Sequence, residues 1–210
     1  MVVHSFPTRT LFRSLSTVRE LEQNPTLQAR RDDLAVQEQA LDFIRNLICA
    51  PDEGAFMVEH LLTQIGSTKL FDILIAKLSP VPSSARLPGN TNHRQIYNPT
   101  PIILSSLHIL NHLSNAAPKH KQLLIAQKPL LQAWLPHFSH VDRSVRVVCV
   151  WAVISLTWIE DDSDRKEARQ RALELRLVGI ESAVRSMQHD ADLDVKERVR
   201  TASRQFDLLL

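Results

Sequence analysis

His108 and His112 stand four residues apart, the spacing at which one helix offers two imidazoles to a metal ion. A metal site needs more than that pair. No Glu follows the first histidine and no third ligand is evident nearby, so no metal is expected, and His137 and His140 fail the same test. Cys49 and Cys149 form no Cys-x-x-Cys pair and sit in apolar helical patterns. That pattern reads as two buried thiols in a reducing compartment, with neither a disulfide framework nor zinc. There is no glycine-rich phosphate loop, nucleophile elbow or pair of catalytic carboxylates. The acidic run Glu160-Asp161-Asp162-Ser163-Asp164 reads as the solvated start of a helix, suited to its positive end. No catalytic residue, cofactor or small-molecule substrate is expected, and the chain reads as a non-enzyme.

What remains is chemistry of the non-covalent kind. Asp42, Asn46, His108, His112, Trp151 and Ser155 could hydrogen-bond and grip an extended peptide, asparagine being apt because it both donates and accepts. Each alone is an ordinary solvated residue. Their significance comes from the elements that would hold them. A small residue followed seven positions later by leucine recurs at Ala40–Leu47, Ser106–Leu113 and Cys149–Leu156, and more weakly at Ala202–Leu209. The leucines are 66, 43 and 53 residues apart, the period of armadillo or HEAT helical repeats with one long insertion. A second, shorter helix repeats in register: Leu70, Ile73 and Leu74 match Leu130, Ala133 and Trp134, then Ile180, Ala183 and Val184.

These repeats predict an all-α chain, an armadillo-type right-handed α-solenoid of about four repeats spanning 8–50, 51–116, 117–160 and 161–210. Helices are expected over 10–22, 34–49, from Phe56 to Gly66, and over 69–78, 102–115, 119–127 and 129–139. Further helices are expected over 145–158, 165–178, 180–189 and 195–210. Asp142 and Ser144 offer N-cap oxygens, and Gly179 offers a helix end. Residues 79–101 carry five prolines among Ser, Asn and Gly and read as a flexible loop. Within the third repeat, Val145, Val148, Cys149, Ala152, Val153 and Leu156 form one apolar stripe. Trp151 lies off it, either against a neighbouring helix or on the concave face. Its counterparts are Asp42 and His108, while Asn46 and His112 match Ser155.

Composition agrees with this class. Four glycines and one tyrosine in 210 residues argue against a β-rich fold. The 25 basic and 23 acidic residues are closely mixed, which disfavours nucleic acid as a partner. The longest apolar stretch, Val145 to Ile159, is interrupted by Arg146 and is too short to span a bilayer, so no membrane is expected. The first nineteen residues hold three arginines and no acid, as transit peptides do, but the stripe Leu11, Phe12, Leu15, Val18 and Leu21 favours a core helix.

The segments Ser14–Leu21, Gln37–Cys49 and Ser144–Trp158 resemble the C-terminal repeats of the armadillo-repeat-containing protein 8 family, whose fungal counterpart is the vacuolar import and degradation armadillo subunit. The resemblance covers about Leu11 to Leu210. Its most specific stretches are Gln37-Glu38-Gln39-Ala40-Leu41 and the run from Trp151 to Trp158. It implies a non-catalytic scaffold or adaptor of a GID/CTLH-type E3 ubiquitin ligase in cytoplasm and nucleus. Its partners would be the substrate receptor and scaffold subunits, and its output proteasomal degradation. That family's inner groove accepts the receptor's chain terminus, and the positions expected to line it here, from their place on the repeat, are Asp42, Asn46, His108, Trp151 and Ser155. Family members carry more repeats on the N-terminal side, so the first helix is expected to leave an apolar face uncovered. The competing reading is an armadillo peptide-binding module unrelated to ubiquitination, such as a nuclear transport adaptor. That class shows a regular Trp-x-x-x-Asn ladder, of which only Trp151 and Asn46 remain, in different repeats.

Overall fold

A computed structural model describes residues 27–49, 54–81 and 95–210. The expected helix over 10–22 lies outside them. Ten α-helices account for most of the described residues, and none of these residues is in a strand. The first four helices are α1 (Leu27–Ile48), α2 (Gly54–Ile65), α3 (Ser67–Leu78) and α4 (Thr100–Ser114). After them come α5 (Pro118–Ile125), α6 (Lys128–Trp134), α7 (Arg143–Thr157) and α8 (Arg165–Val178). The last two are α9 (Ile180–Ser186) and α10 (Leu193–Leu209), and short 3-10 turns extend α6 over Leu135–Ser139 and α9 over Met187–His189. No helix among the described residues is long and apolar enough to cross a membrane.

The helices with matching sequence pack on one another. The heaviest contacts run from α1 to α4, from α4 to α7 and from α7 to α10. Alongside, α3 packs on α6, the turn after α6 packs on α9, and α5 packs on α8. The apolar stripe explains the first series. Leu41 and Ile44 of α1, Leu107 and Leu110 of α4, and Val145, Cys149, Ala152 and Leu156 of α7 are all buried. Residues recurring every three or four positions share one helix face, so each stripe meets its neighbour along the whole helix. Ser114 and Thr157 occupy matching places at the ends of α4 and α7. Both bury a hydroxyl by donating it back to a carbonyl one turn earlier, Leu110 O at 2.8 Å and Val153 O at 2.9 Å.

The fourth stripe is shifted from its expected register. On α10 the buried residues are Val195, Val199, Ala202, Phe206 and Leu209. Their spacing superimposes Ala202 on Ala152 and Phe206 on Leu156, so Phe206 takes the anchoring place that the sequence pattern gave to Leu209. Phenylalanine replaces leucine as the anchor, which a search for leucine misses. By the same offset Thr201 and Gln205 take the places of Trp151 and Ser155.

Helix ends follow local chemistry. Asp142 caps α7 by accepting from Ser144 N at 2.8 Å, and Asp192 caps α10 by accepting from Asp194 N at 3.0 Å and Val195 N at 3.2 Å. Gly179 ends α8 with φ of 96°, a left-handed conformation that costs a residue with a Cβ roughly 1–2 kcal/mol. Thr100 and Pro101, expected in the long loop, instead form the first turn of α4, where proline's missing N–H is harmless. Residues 82–94 of the expected loop lie outside the described residues, and the described segments on either side are tied together. Val81 N donates to Ile96 O at 2.6 Å, and Asn98 Nδ2 donates to Lys77 O at 2.8 Å at the end of α3.

Polar residues bridge neighbouring helices at several depths. Lys77 of α3 donates to Gln37 of α1 at 2.7 Å, and buried His137 contacts Leu78 O at 2.9 Å. Buried Lys121 of α5 reaches Glu160 at 2.5 Å, and Arg146 of α7 grips both oxygens of Asp190 at 2.8 and 2.9 Å. The acidic run is therefore only partly solvated. Asp164 is buried against the Arg171 guanidinium, which donates to its two oxygens at 2.9 and 2.8 Å. The same guanidinium donates to Leu156 O at 2.6 Å and Trp158 O at 3.2 Å, satisfying the last carbonyls of α7.

The cysteines also divide. Cys149 is buried as expected, and desolvation pushes its thiol up to about 12, the neighbouring Trp134 indole offsetting only part of this. Cys49 is exposed, because α1 ends at Ile48 and leaves it in the turn beyond the apolar stripe. Alkylation of the folded protein at pH 8 should modify Cys49 alone, with Cys149 reacting only in denaturant. Peptide mapping of the alkylated product checks this, and rapid double labelling without denaturant would contradict the packing around α7.

Candidate protein-binding face

On α1, Asp42 is already engaged. Its Oδ1 accepts from Ser105 Oγ of α4 at 2.6 Å and lies 3.4 Å from the Arg45 guanidinium, one turn along α1. Arg45 also donates to Asn46 Oδ1 from two nitrogens, at 3.4 and 3.3 Å. Asn46 is exposed and keeps its amide NH₂ as a donor.

On α4, His108 and His112 are half-buried and follow each other at one turn. Burial lowers the proton affinity of both, and the nearby Arg45 charge lowers both further, while Asp42 works the other way on His108 alone. Near neutral pH they are neutral rings, each with one donor and one acceptor nitrogen. Among the described residues no group of three His, Cys, Asp or Glu side chains could hold a metal ion.

On α7, Trp151 is 42% exposed, so it is not a core residue packed against the next helix. The Arg198 guanidinium of α10 lies 4.8 Å from its ring centroid, a cation–π contact that fixes the indole without covering it. Ser155 is half-buried one turn on. Two turns beyond Trp151, Trp158 is 54% exposed. With Leu208, Leu209, Gln205, Thr157 and Ile159 it lines a shallow, mostly apolar cleft of about 210 Å³. Thr157 Oγ1 lies 2.8 Å from the side-chain amide of Gln205 across the cleft lining. That volume is below the roughly 300–1,000 Å³ of small-molecule sites, and suits one inserted side chain.

All six expected positions are thus exposed or half-buried on the three successive helices α1, α4 and α7. The structure couples Asp42 to His108 and His108 to His112 electrostatically, and places Trp151 and Ser155 one turn apart. Sequence reasoning missed Arg45, Ser105, Arg198, Trp158 and Leu208. Trp158 could have been found, since it lies seven residues from Trp151 and an exposed pair at that spacing shares a face. Arg198 could not, because its approach to Trp151 depends on how α10 is registered against α7.

No family model and no curated protein matches this chain. Among solved structures, the crystal structure of an engineered protein is similar over 95% of this chain and 97% of its own, at 8% identity and a TM-score of 0.37, a likeness too slight to support any argument.

Proposed function

We propose that the chain is a non-catalytic armadillo-type scaffold of about four repeats that holds another polypeptide along the face formed by α1, α4, α7 and α10. In this reading it is an adaptor of a GID/CTLH-type E3 ubiquitin ligase, docking a substrate receptor for ubiquitin- and proteasome-dependent degradation in cytoplasm and nucleus. Serial packing of matching helices supports the repeat reading, since stacked units contact chiefly their neighbours. The observation that carries the binding reading is Trp151. A large indole held by Arg198 yet open to solvent contributes little to the core, and such aromatics are the residues that anchor protein interfaces.

The test is affinity purification from the native cell with quantitative mass spectrometry, comparing wild type with Trp151→Ala. Ligase subunits should co-purify with the wild type and fall by about tenfold with the variant, the equivalent of 1.4 kcal/mol. The melting curve should change little, because the side chain removed is largely outside the core. Absence of every ligase subunit from the wild-type sample removes the adaptor assignment. Unchanged recovery with Trp151→Ala removes the face.

A further inference from the structure

One apolar stripe is buried on three of the four matching long helices and open on the first. Ile102, Ile109 and Leu113 of α4 are buried, as are Val145, Ala152 and Leu156 of α7. Their counterparts on α10, Val195, Ala202 and Phe206, are buried too. On α1 the same three places hold Val36, Phe43 and Leu47. There Val36 is 52% exposed, Phe43 is 41% exposed and Leu47 is half-buried. The order of packing places the missing cover. The main contacts of α10 are with α7, α8, α9 and the turn after α9, all earlier in the sequence. Whatever buries this stripe on α10 therefore precedes α10. The main contacts of α1 are with α2 and α4, both of which follow it. A neighbouring stripe behaves in the opposite way. Leu41, Leu107 and Val150 are buried, whereas the matching place on α10 holds the exposed Arg200. Each long helix thus has one side covered by the chain before it and one by the chain after it. We infer that residues 11–21 dock on α1 as an amphipathic helix and cover Val36, Phe43 and Leu47.

These residues lie outside the described ones, and their sequence supplies what the stripe lacks. At 100° per residue, Leu11, Leu15, Val18 and Leu21 share one side of a helix, with Arg9, Arg13 and Glu20 on the other. Leu11 to Leu21 would span about 15 Å, against about 17 Å from Val36 to Leu47. Residues 23–26, Pro25 among them, separate the segment from α1, within the roughly two to eight residues that join packed helices. A second copy stacked head to tail is a poorer cover. Arg200, Arg204 and Asp207 stand exposed on α10 in the places of the buried Val150, Ile154 and Thr157. Setting them against Val36 and Phe43 would strip water from charges and return no partner.

Photo-crosslinking from the stripe tests this on the full 210-residue protein. Phe43→p-benzoylphenylalanine keeps an aromatic ring in place and, on irradiation, reacts with C–H bonds beside it. The products should be single chains in which the adduct maps by peptide sequencing to residues 1–26, chiefly 11–21. Val36→p-benzoylphenylalanine should label the same stretch. Adding Leu15→Asp and Val18→Asp should lower the yield about tenfold, because docking would then bury two carboxylates without partners. Arg13→Gln, on the other side of the segment, should leave the yield unchanged. Circular dichroism melts should show the helices intact in every variant. Adducts joining two chains give the stripe to a second copy and overturn the inference. Adducts confined to residues 27–210, no adduct from either position, or a yield indifferent to the aspartates also overturn it. The Trp151 face takes no part in any of these readings, so the scaffold proposal is tested separately.

Discussion

Replacing Arg171 with methionine is expected to lower the free energy of unfolding by about 3–5 kcal/mol, the usual consequence of stranding one member of a buried ion pair. Arg171 is 0% exposed, and its side chain serves Asp164 twice and two backbone carbonyls besides. Methionine fills much of the volume but leaves a buried carboxylate with only the Glu160 N–H, at 3.2 Å, as donor and takes the guanidinium from those carbonyls. Urea unfolding followed by circular dichroism at pH 7 measures the loss. Removing both charges, Arg171→Met with Asp164→Leu, should restore a good part of it, since the desolvation of the pair disappears along with its attraction. Acid gives a further check. The Arg171 hydrogen bonds hold the Asp164 carboxyl below the usual carboxylate range. Its contribution is therefore complete above the unfolded value of about 3.9 and is lost as pH falls through the lower folded value. The gap between wild type and Arg171→Met should narrow in that acidic range. A gap that widens there contradicts the pairing.

Trp134→Ala should cost about 3–5 kcal/mol, whereas Trp151→Ala should cost far less. Trp134 is fully buried on α6, its ring centroid 5.2 Å from that of Phe138. Truncation there removes the transfer energy of the indole and leaves a cavity that α7 and the turn after α6 cannot fill without moving. Guanidinium unfolding monitored by far-ultraviolet circular dichroism resolves the difference between the two variants. Trp134→Ala costing under about 1 kcal/mol would mean that the helices around it repack freely, against the packing described here.

The repeated stripe explains why so much of the fold was legible. Period-3.6 burial at Leu41, Leu107 and Leu156 is written directly in residue type, and so are the Asp142 cap and the Gly179 helix end. What escaped detection depends on three-dimensional register. Asp164 and Asp161 look alike in the acidic run, yet only Asp164 meets a guanidinium seven residues away and becomes buried. Lys121 reads as a surface cation and is nonetheless buried against Glu160. On the candidate face, the positions of Asp42, His108 and Trp151 followed from the pattern, while their couplings to Ser105, Arg45 and Arg198 did not. Those bonds join different helices, or depend on side-chain torsions that a periodic pattern does not encode.

The clasp between Val81 and Ile96, with Asn98 closing the end of α3, has a practical consequence. It fixes how α3 hands over to α4 whatever number of residues lies between. Lengthening a closed stretch of chain costs only about 0.6 kcal/mol for each doubling. A fluorescent reporter or an epitope grafted between residues 82 and 94 should therefore leave the thermal midpoint almost where it was. The same graft placed next to Asn98 should not, because it would pull the clasp open.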